Sequence, residues 1–358
     1  MQNHDDGHAP QQPASPLVLG TMGWGTSGDG PARAAAALDV ALAAGVAVLD
    51  TADIYGAGDS ERAVGAALAG LAPRARAGLR VQTKCGIVLP GTTPPGASTS
   101  APTVRYDSSP AHLKASLAGS LERLGTDRVD VLLIHRPDVL TPVEDTVRAF
   151  LEEREAGRVD RLGLSNLPLD RARRVQETLH RMSADGTGLD CVQIELGLHH
   201  RALVEAAVLA NHDSAAPTSG AAQLPQWCRD EGIALQAWGP LGQGRYTGAS
   251  DATETGAVPD EPAGAPEDAT AGDPQAAART PEQEAAVVVK ELAERLGVPG
   301  EAVVLGWLRR LPWDVRPVVG TMEPDRLAAC ARADVAARGM DHADWYRLLT
   351  AARGAPLP

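Results

Sequence analysis

Aromatic residues are scarce in this chain: they make up 3% of 358 residues, with one phenylalanine and four tyrosines. A core for a chain of this length must then come mainly from Ala, Val and Leu, and any aromatic outside that background asks for an explanation. Cysteines are few and form no pattern. Cys85, Cys191, Cys228 and Cys330 stand far apart with no C-x-x-C pair, so neither a zinc site nor a disulfide framework is expected, and a reducing compartment fits. Clustered positive charge is missing as well. The net charge is -13, with arginines scattered among acids, which argues against a nucleic-acid partner. No apolar run approaches the roughly 20 residues of a membrane span, so no membrane association is expected. Residues 1–16 lack a basic start and an apolar stretch and read as a polar, disordered tail rather than a secretory leader, which points to a cytoplasmic protein.

What is present is a repeated unit: a short apolar segment, a polar end, then a helical pattern. The apolar segments fall at 17–22, 46–49, 80–84, 129–134, 161–164, 191–195, 233–237 and 316–319, and they read as strands. Between and after them the spacing predicts helices at 31–44, 60–71, 109–124, 143–156, 170–182, 283–296, 301–311, 324–336 and 340–353. Leu113, Leu117, Leu121 and Leu124 show the helical period, and Gly45 marks a helix stop. Eight alternating units point to a (β/α)8 barrel over residues 17–358 as one domain, with an open doubly wound sheet as the competing arrangement. Two stretches, 87–108 and 243–281, carry no pattern. Each follows a strand, which in a barrel places it at the carboxyl-terminal mouth. The acidic run 251–273 is most simply a solvated linker; the sharper reading is a lid over a site.

In a barrel every polar residue at a strand's carboxyl end converges on one mouth. That rule collects Asp50 and Tyr55 from L-D-T-A-D-I-Y-G, then Lys84, His135, Ser165, Asn166, Gln193 and Trp238. Each has a plain alternative as a cap, turn or solvated end. Together a phenol, an ammonium, a carboxylate and an imidazole make a proton-donating site. A phenol with a pKa of about 10 is a poor acid at neutral pH; a lysine cation would lower it, and a carboxylate would hold the lysine. A shift of about three units is worth roughly 4 kcal/mol. No serine or cysteine stands beside His135 as a nucleophile, no metal-ligand spacing occurs, and His199–His200 reads as loop or surface.

The motifs D-T-A-D-I-Y-G with Glu61 beyond it, T-K at 83–84, L-L-I-H-R-P-D at 132–138 and G-L-S-N at 163–166 resemble those of the aldo-keto reductases. The likeness runs from L-G-T-M at residue 19 to P-V-V-G-T-M-E-P-D-R-L near the carboxyl end, and the H-R-P-D and W-L-R-R-L-P segments look closest to a bacterial subgroup of predicted oxidoreductases. The resemblance implies a monomeric enzyme that uses a nicotinamide cofactor to reduce an aldehyde or ketone. It implies Tyr55 as the acid, Lys84 lowering its pKa, Asp50 rather than Asp53 paired with Lys84, and His135 positioning the carbonyl. Asp53 is left as a turn or solvent residue. By the same likeness Ser165, Asn166 and Gln193 meet the carboxamide, Trp238 stacks on its ring, and Gly20, Thr21, Met22, Pro240, Leu241 and Gly242 lie along the cofactor. The segment 320–326, with Gly320 and Thr321, reaches the adenosine end, where Arg326 matches a residue that holds a 2′-phosphate. Arg326 favours NADPH over NADH; Gly320, Glu323 and Cys330 weigh against it. Trp24, Ile54 and Ile87, with Met22, are pocket-wall candidates and imply an apolar substrate face, although core packing accounts for Ile54 and Ile87 equally well. The competing functions are a nicotinamide-binding redox-sensing subunit with little turnover and an unrelated lyase or isomerase on the same barrel.

Overall fold

Short runs of Val, Leu and Ile in this chain pair edge to edge and close on themselves. The computed structural model describes residues 15–26, 30–92, 100–209, 221–247 and 279–358. Eight strands form a closed barrel: β1 Val18–Gly20, β2 Val48–Asp50, β3 Arg80–Cys85, β4 Val129–Ile134, β5 Val159–Ser165, β6 Leu189–Glu195, β7 Ala234–Trp238 and β8 Val315–Val319. Each pairs in parallel with its neighbours in sequence, and β1 closes against β8. The doubly wound alternative is thereby excluded.

Strand alternation divides the core in two. Leu132, Ile134, Leu162 and Leu164 face the surrounding helices as part of the main core, whereas Val131, Leu133 and Cys191 form a separate cluster inside the barrel. Gly163 shares that interior. A Cβ there would lie 2.8 Å from Leu133 Cγ and 2.9 Å from Cys191 Sγ. Gly163→Ala is therefore expected to destabilise the fold by about 1–3 kcal/mol, measured by denaturant unfolding.

The helices follow their local signals closely. Ser109 caps Pro110–Leu124 through His112 N, and Gly125 ends it in the left-handed region at φ 62°. Thr280 and Gln283 form a capping box on Pro281–Leu296. Three expectations need correction. The patternless stretch after β3 holds a hairpin in which Ile87–Val88 pairs antiparallel with Arg105–Tyr106. A short helix at Pro73–Ala77 precedes β3. The expected helix 324–336 is two, Pro324–Cys330 and Ala333–Gly339. The second packs on Gly300–Arg309, where a Cβ on Gly306 would stand 2.8 Å from Ala336 Cβ; that close approach sets its direction. The tail 1–14 and residues 248–278, including the acidic run read as linker or lid, lie outside the described residues. Among the described residues no helix is long and apolar enough to cross a membrane.

Candidate active site

Register brings the polar strand ends to one level. Gly20 pairs with Asp50 and Asp50 with Gln82, while Ser165, Gln193 and Gln236 align across β5, β6 and β7. Lys84 is two residues beyond Gln82 on the same face and comes from the barrel wall to its mouth. Its Nζ spends three donors: 2.7 Å to Asp50 Oδ2, 2.9 Å to the Thr51 carbonyl and 3.1 Å to the Tyr55 hydroxyl. Lys84 has no exposed surface and Asp50 almost none. The His135 ring meets the Tyr55 ring edge to face, with centroids 5.9 Å apart and planes at 79°. His135 is anchored by its backbone N–H on the Cys85 carbonyl at 2.8 Å. Carboxylate, ammonium, phenol and imidazole thus stand in one connected row.

Electrostatics assigns these groups their states. Burial pulls Lys84 down, but Asp50 and then Tyr55 outweigh it and the lysine ends above its ordinary value. Burial drives His135 well below 6.5, helped by Lys84 and Arg136, so the imidazole is neutral at physiological pH. Its Nδ1 is buried without a hydrogen-bond partner. Tyr55 reverses an expectation. Burial pushes the phenol above 10, and Lys84, the largest opposing influence, does not overcome it. The reason is that Lys84 is itself neutralised by Asp50 in the same low-dielectric pocket. Tyr55 is a protonated phenol rather than an acidified one.

Two participants left no signal at the strand ends. Gln82 and Gln236 cross-bond inside the barrel at 2.8 and 3.0 Å. Gln82 Nε2 reaches Asp50 Oδ1 at 2.5 Å, and Gln193 Nε2 reaches the same oxygen at 3.0 Å. The carboxylate that holds Lys84 is therefore held in turn by two amides. Their like spacing on two strands that face each other across the barrel, Gln82 two residues before Lys84 and Gln236 two before Trp238, was the available clue.

The remaining candidates take the following places. Asn166 sits in the left-handed region at φ 58°; its Nδ2 reaches Ser165 Oγ at 2.8 Å, and its Oδ1 accepts the Trp238 indole N–H at 3.0 Å. Asn tolerates that backbone, and the bridge fixes Trp238 at the mouth. Thr21 is buried and tied to the Asp50 carbonyl through both N–H and hydroxyl, whereas Met22 is 55% exposed. After β7, Gly239, Gly242 and Gly244 take the positive φ that glycine adopts freely, and Gln243 shares it at φ 58°, giving a tight turn around Pro240 and Leu241. Gly320 has open space at its Cβ position, and Thr321 Oγ1 accepts the Glu323 N–H at 3.1 Å. Arg326 Nε is buried with no hydrogen-bond partner and lies 3.5 Å from Glu301. Ile54 and Ile87 are half-buried. Trp24 corrects the pocket-wall expectation. It is fully buried in the core beneath Ser60, whose hydroxyl donates to the Trp24 carbonyl, and offers no surface to a ligand.

The His199–His200 pair lies in a loop, as expected: His200 is exposed, and His199 is half-buried beside the Gly239–Gly242 turn, 3.2 Å from Glu195. Asp53 stands in a turn, as expected, half-buried and with its Oδ1 cut off from water. Among the described residues no three His, Cys, Asp or Glu side chains gather as metal ligands. An open hollow of about 560 Å3 at the opposite end of the barrel, lined by Gly125, Thr126, Gly157 and Arg158, shares no residue with the row.

Known proteins resemble this chain along most of its length. The sequence pattern of the aldo/keto reductase family matches residues 16–337. A 6-dehydroglucose reductase of Agrobacterium fabrum is 30% identical over 342 residues, covering 95% of each chain. Oxidoreductase YdhF of Escherichia coli is 28% identical over 98% of each. A glycerol dehydrogenase structure from Gluconobacter oxydans superimposes with a TM-score of 0.68 at 23% identity, covering 97% of this chain and 95% of the other, which is a likeness of fold.

Proposed function

Since the chain belongs to the aldo/keto reductase family, an oxidoreductase family acting on small carbonyl compounds, we propose that it is an NADPH-dependent reductase converting an aldehyde or ketone to an alcohol, with Tyr55 as proton donor. The observation that carries the reading is the row Asp50, Lys84, Tyr55, His135. A nicotinamide cofactor, when bound, supplies the hydride. The chain's own groups do the rest. The Tyr55 hydroxyl gives its proton to the carbonyl oxygen, Lys84 steadies the phenolate left behind, and neutral His135 orients that oxygen with a hydrogen bond. Asp50 keeps Lys84 charged and fixed. An intact row favours turnover over a purely redox-sensing role, which needs no proton donor.

Ser165, Asn166, Gln193 and Trp238 are the groups that would hold the carboxamide and ring, and the turn at Gly239–Gly242 suits close backbone approach to a phosphate. Arg326, ion-paired with Glu301 through Nε at 3.5 Å and with a third of its side chain exposed, is the guanidinium that would meet a 2′-phosphate. Glu323, the carboxylate that argued against NADPH, is engaged by Arg33 at 2.6 Å, which reduces its repulsion. The substrates to try first are hydroxylated, sugar-like aldehydes, because two relatives are named 6-dehydroglucose reductase and the mouth carries Glu195 between His199 and His200.

The test is oxidation of NADPH and of NADH across a panel of simple and hydroxylated carbonyl compounds. NADPH is expected to be preferred. Arg326→Ala is expected to raise the KM for NADPH roughly 10- to 100-fold, the loss of a charge-assisted hydrogen bond, with little change for NADH. Indifference to the substitution would sink the NADPH assignment.

A further inference from the structure

Two pairs of residues, each pair level on neighbouring strands, meet inside the barrel. Asp50 on β2 is in register with Gln82 on β3, and Gln193 on β6 with Gln236 on β7; the two pairs stand on opposite sides of the closed sheet. Their side chains close into a ring. Gln82 Nε2 donates to Asp50 Oδ1 at 2.5 Å and to Gln236 Oε1 at 2.8 Å. Gln193 Nε2 donates to the same two oxygens at 3.0 and 2.9 Å, and Gln236 Nε2 returns a bond to Gln82 Oε1 at 3.0 Å. None of the four residues is more than 3% exposed. Elsewhere the same interior is filled by Val131, Leu133 and Cys191, so packing alone does not call for amides here.

The charge on Asp50 fixes every amide of the ring. A carboxylate only accepts, so Gln82 and Gln193 must both turn Nε2 toward it. Each has one hydrogen left for Gln236 Oε1, and Gln236 must then turn its own Nε2 toward Gln82. A flip of any one amide sets like against like. For Gln193 the consequence is specific: both of its hydrogens are engaged inside the barrel, and the amide has only its oxygen to offer a ligand. The other oxygen of Asp50 meanwhile holds Lys84 at 2.7 Å.

We propose that Gln82 and Gln236 are positioning residues for the reaction: from inside the barrel they hold the Gln193 amide with its oxygen toward the NH2 of the cofactor's carboxamide, and tie it to the carboxylate that holds Lys84. The inference rests on the reading of the chain as a nicotinamide-dependent reductase. Gln236 acts through the other two amides, and Gln82 through Asp50 and Gln236. The group that orients the hydride-bearing ring and the group that backs the proton donor are thereby members of one bonded element, and a shift of either is resisted by both.

Gln236→Met and the double variant Gln82→Met, Gln236→Met remove amides from the ring at nearly constant volume. Two readouts on the full chain need no turnover: the melting temperature, and dissociation constants by fluorescence titration for NADPH and for its 3-acetylpyridine analogue, in which a methyl stands where the carboxamide has NH2. The parent is expected to bind NADPH about tenfold more tightly than the analogue, the loss of one hydrogen bond. Gln236→Met leaves the Gln82 oxygen without its donor and one hydrogen on each of Gln82 and Gln193 without an acceptor, and is expected to melt about 2–4 °C lower. The double variant removes both ends of the Gln82–Gln236 bonds, so its melting temperature is expected to recover by at least about half. Its discrimination is not. Gln193 keeps a bond to Asp50 but is no longer held in one orientation, and the ratio of the two dissociation constants is expected to fall below about threefold. A merely structural ring leaves that ratio at its parental value in every variant, which overturns the proposal; so does a parent that binds the two dinucleotides alike. A parent that binds neither NADPH nor NADH overturns the reductase reading and the proposal together, whereas carbonyl reduction by parent and double variant with an unchanged ratio overturns the proposal alone. Should the double variant not fold, Gln236→Met carries the test: its ratio is expected to fall, and an unchanged ratio overturns the proposal.

Discussion

Tyr55→Phe is expected to lower kcat for carbonyl reduction roughly 10²–10⁴-fold, with cofactor affinity changed by less than about twofold. The hydroxyl is the one group in the row that can release a proton toward the mouth. Lys84 has all three donors engaged, Asp50 accepts from Lys84, Gln82 and Gln193, and His135 is neutral with its Nδ1 enclosed. Phenylalanine keeps the ring that meets His135 and removes only the oxygen 3.1 Å from Lys84 Nζ. Stability should fall by about 1 kcal/mol, one lost hydrogen bond. The pH dependence has a definite sign. Since the phenol lies above 10, the protonated donor is fully populated at neutral pH, and that requirement fails only as pH rises through the phenol's own titration. In the reverse direction the phenolate must accept the proton, so alcohol oxidation is expected to accelerate toward alkaline pH. Steady-state rates in both directions across pH check this, and a Tyr55→Phe enzyme with parental kcat removes Tyr55 from the mechanism.

Much of this arrangement could be read from residue order because it depends on strand ends. Val129–Ile134 is apolar almost throughout and stops at His135, so both the strand and its polar exit are visible in a few letters. The repeat then needs only the barrel rule to gather Asp50, Lys84 and His135 at one mouth. What depends on helix-to-sheet packing was not visible. Trp24 looks like a mouth residue, yet the chain folds it into the core. The net shift of Tyr55 also escaped, because it is a contest between burial and Lys84, and depth is not encoded in spacing. The amides of Gln82 and Gln236 meet only because register aligns strands far apart in sequence. The break between Cys330 and Ala333 reflects packing on Gly306, which local helical pattern cannot report.

Lys84→Met is expected to be the most damaging substitution to the fold at this site, costing about 3–5 kcal/mol and abolishing measurable reduction. Methionine fills a similar volume, so the loss is electrostatic rather than a cavity. It strands Asp50 with no cation, and it leaves the Thr51 carbonyl and the Tyr55 hydroxyl without their donor. The two amides on Asp50 Oδ1 soften the loss but cannot supply charge. The double substitution Asp50→Asn, Lys84→Met separates the two roles. Removing both charges leaves no unpaired ion, and the amide oxygen introduced by Asp50→Asn can still accept from Gln82 and Gln193, so most of the lost stability should return. Activity should not, since no ammonium remains to stabilise the Tyr55 phenolate. A coupling energy of at least about 2 kcal/mol in the double-mutant cycle is expected, measured by chemical denaturation with single-turnover kinetics alongside. If Lys84→Met alone unfolds at the parental denaturant concentration, the buried pair contributes nothing to holding the row together. If instead the double variant recovers both stability and rate, proton delivery runs through some group other than Tyr55 backed by Lys84.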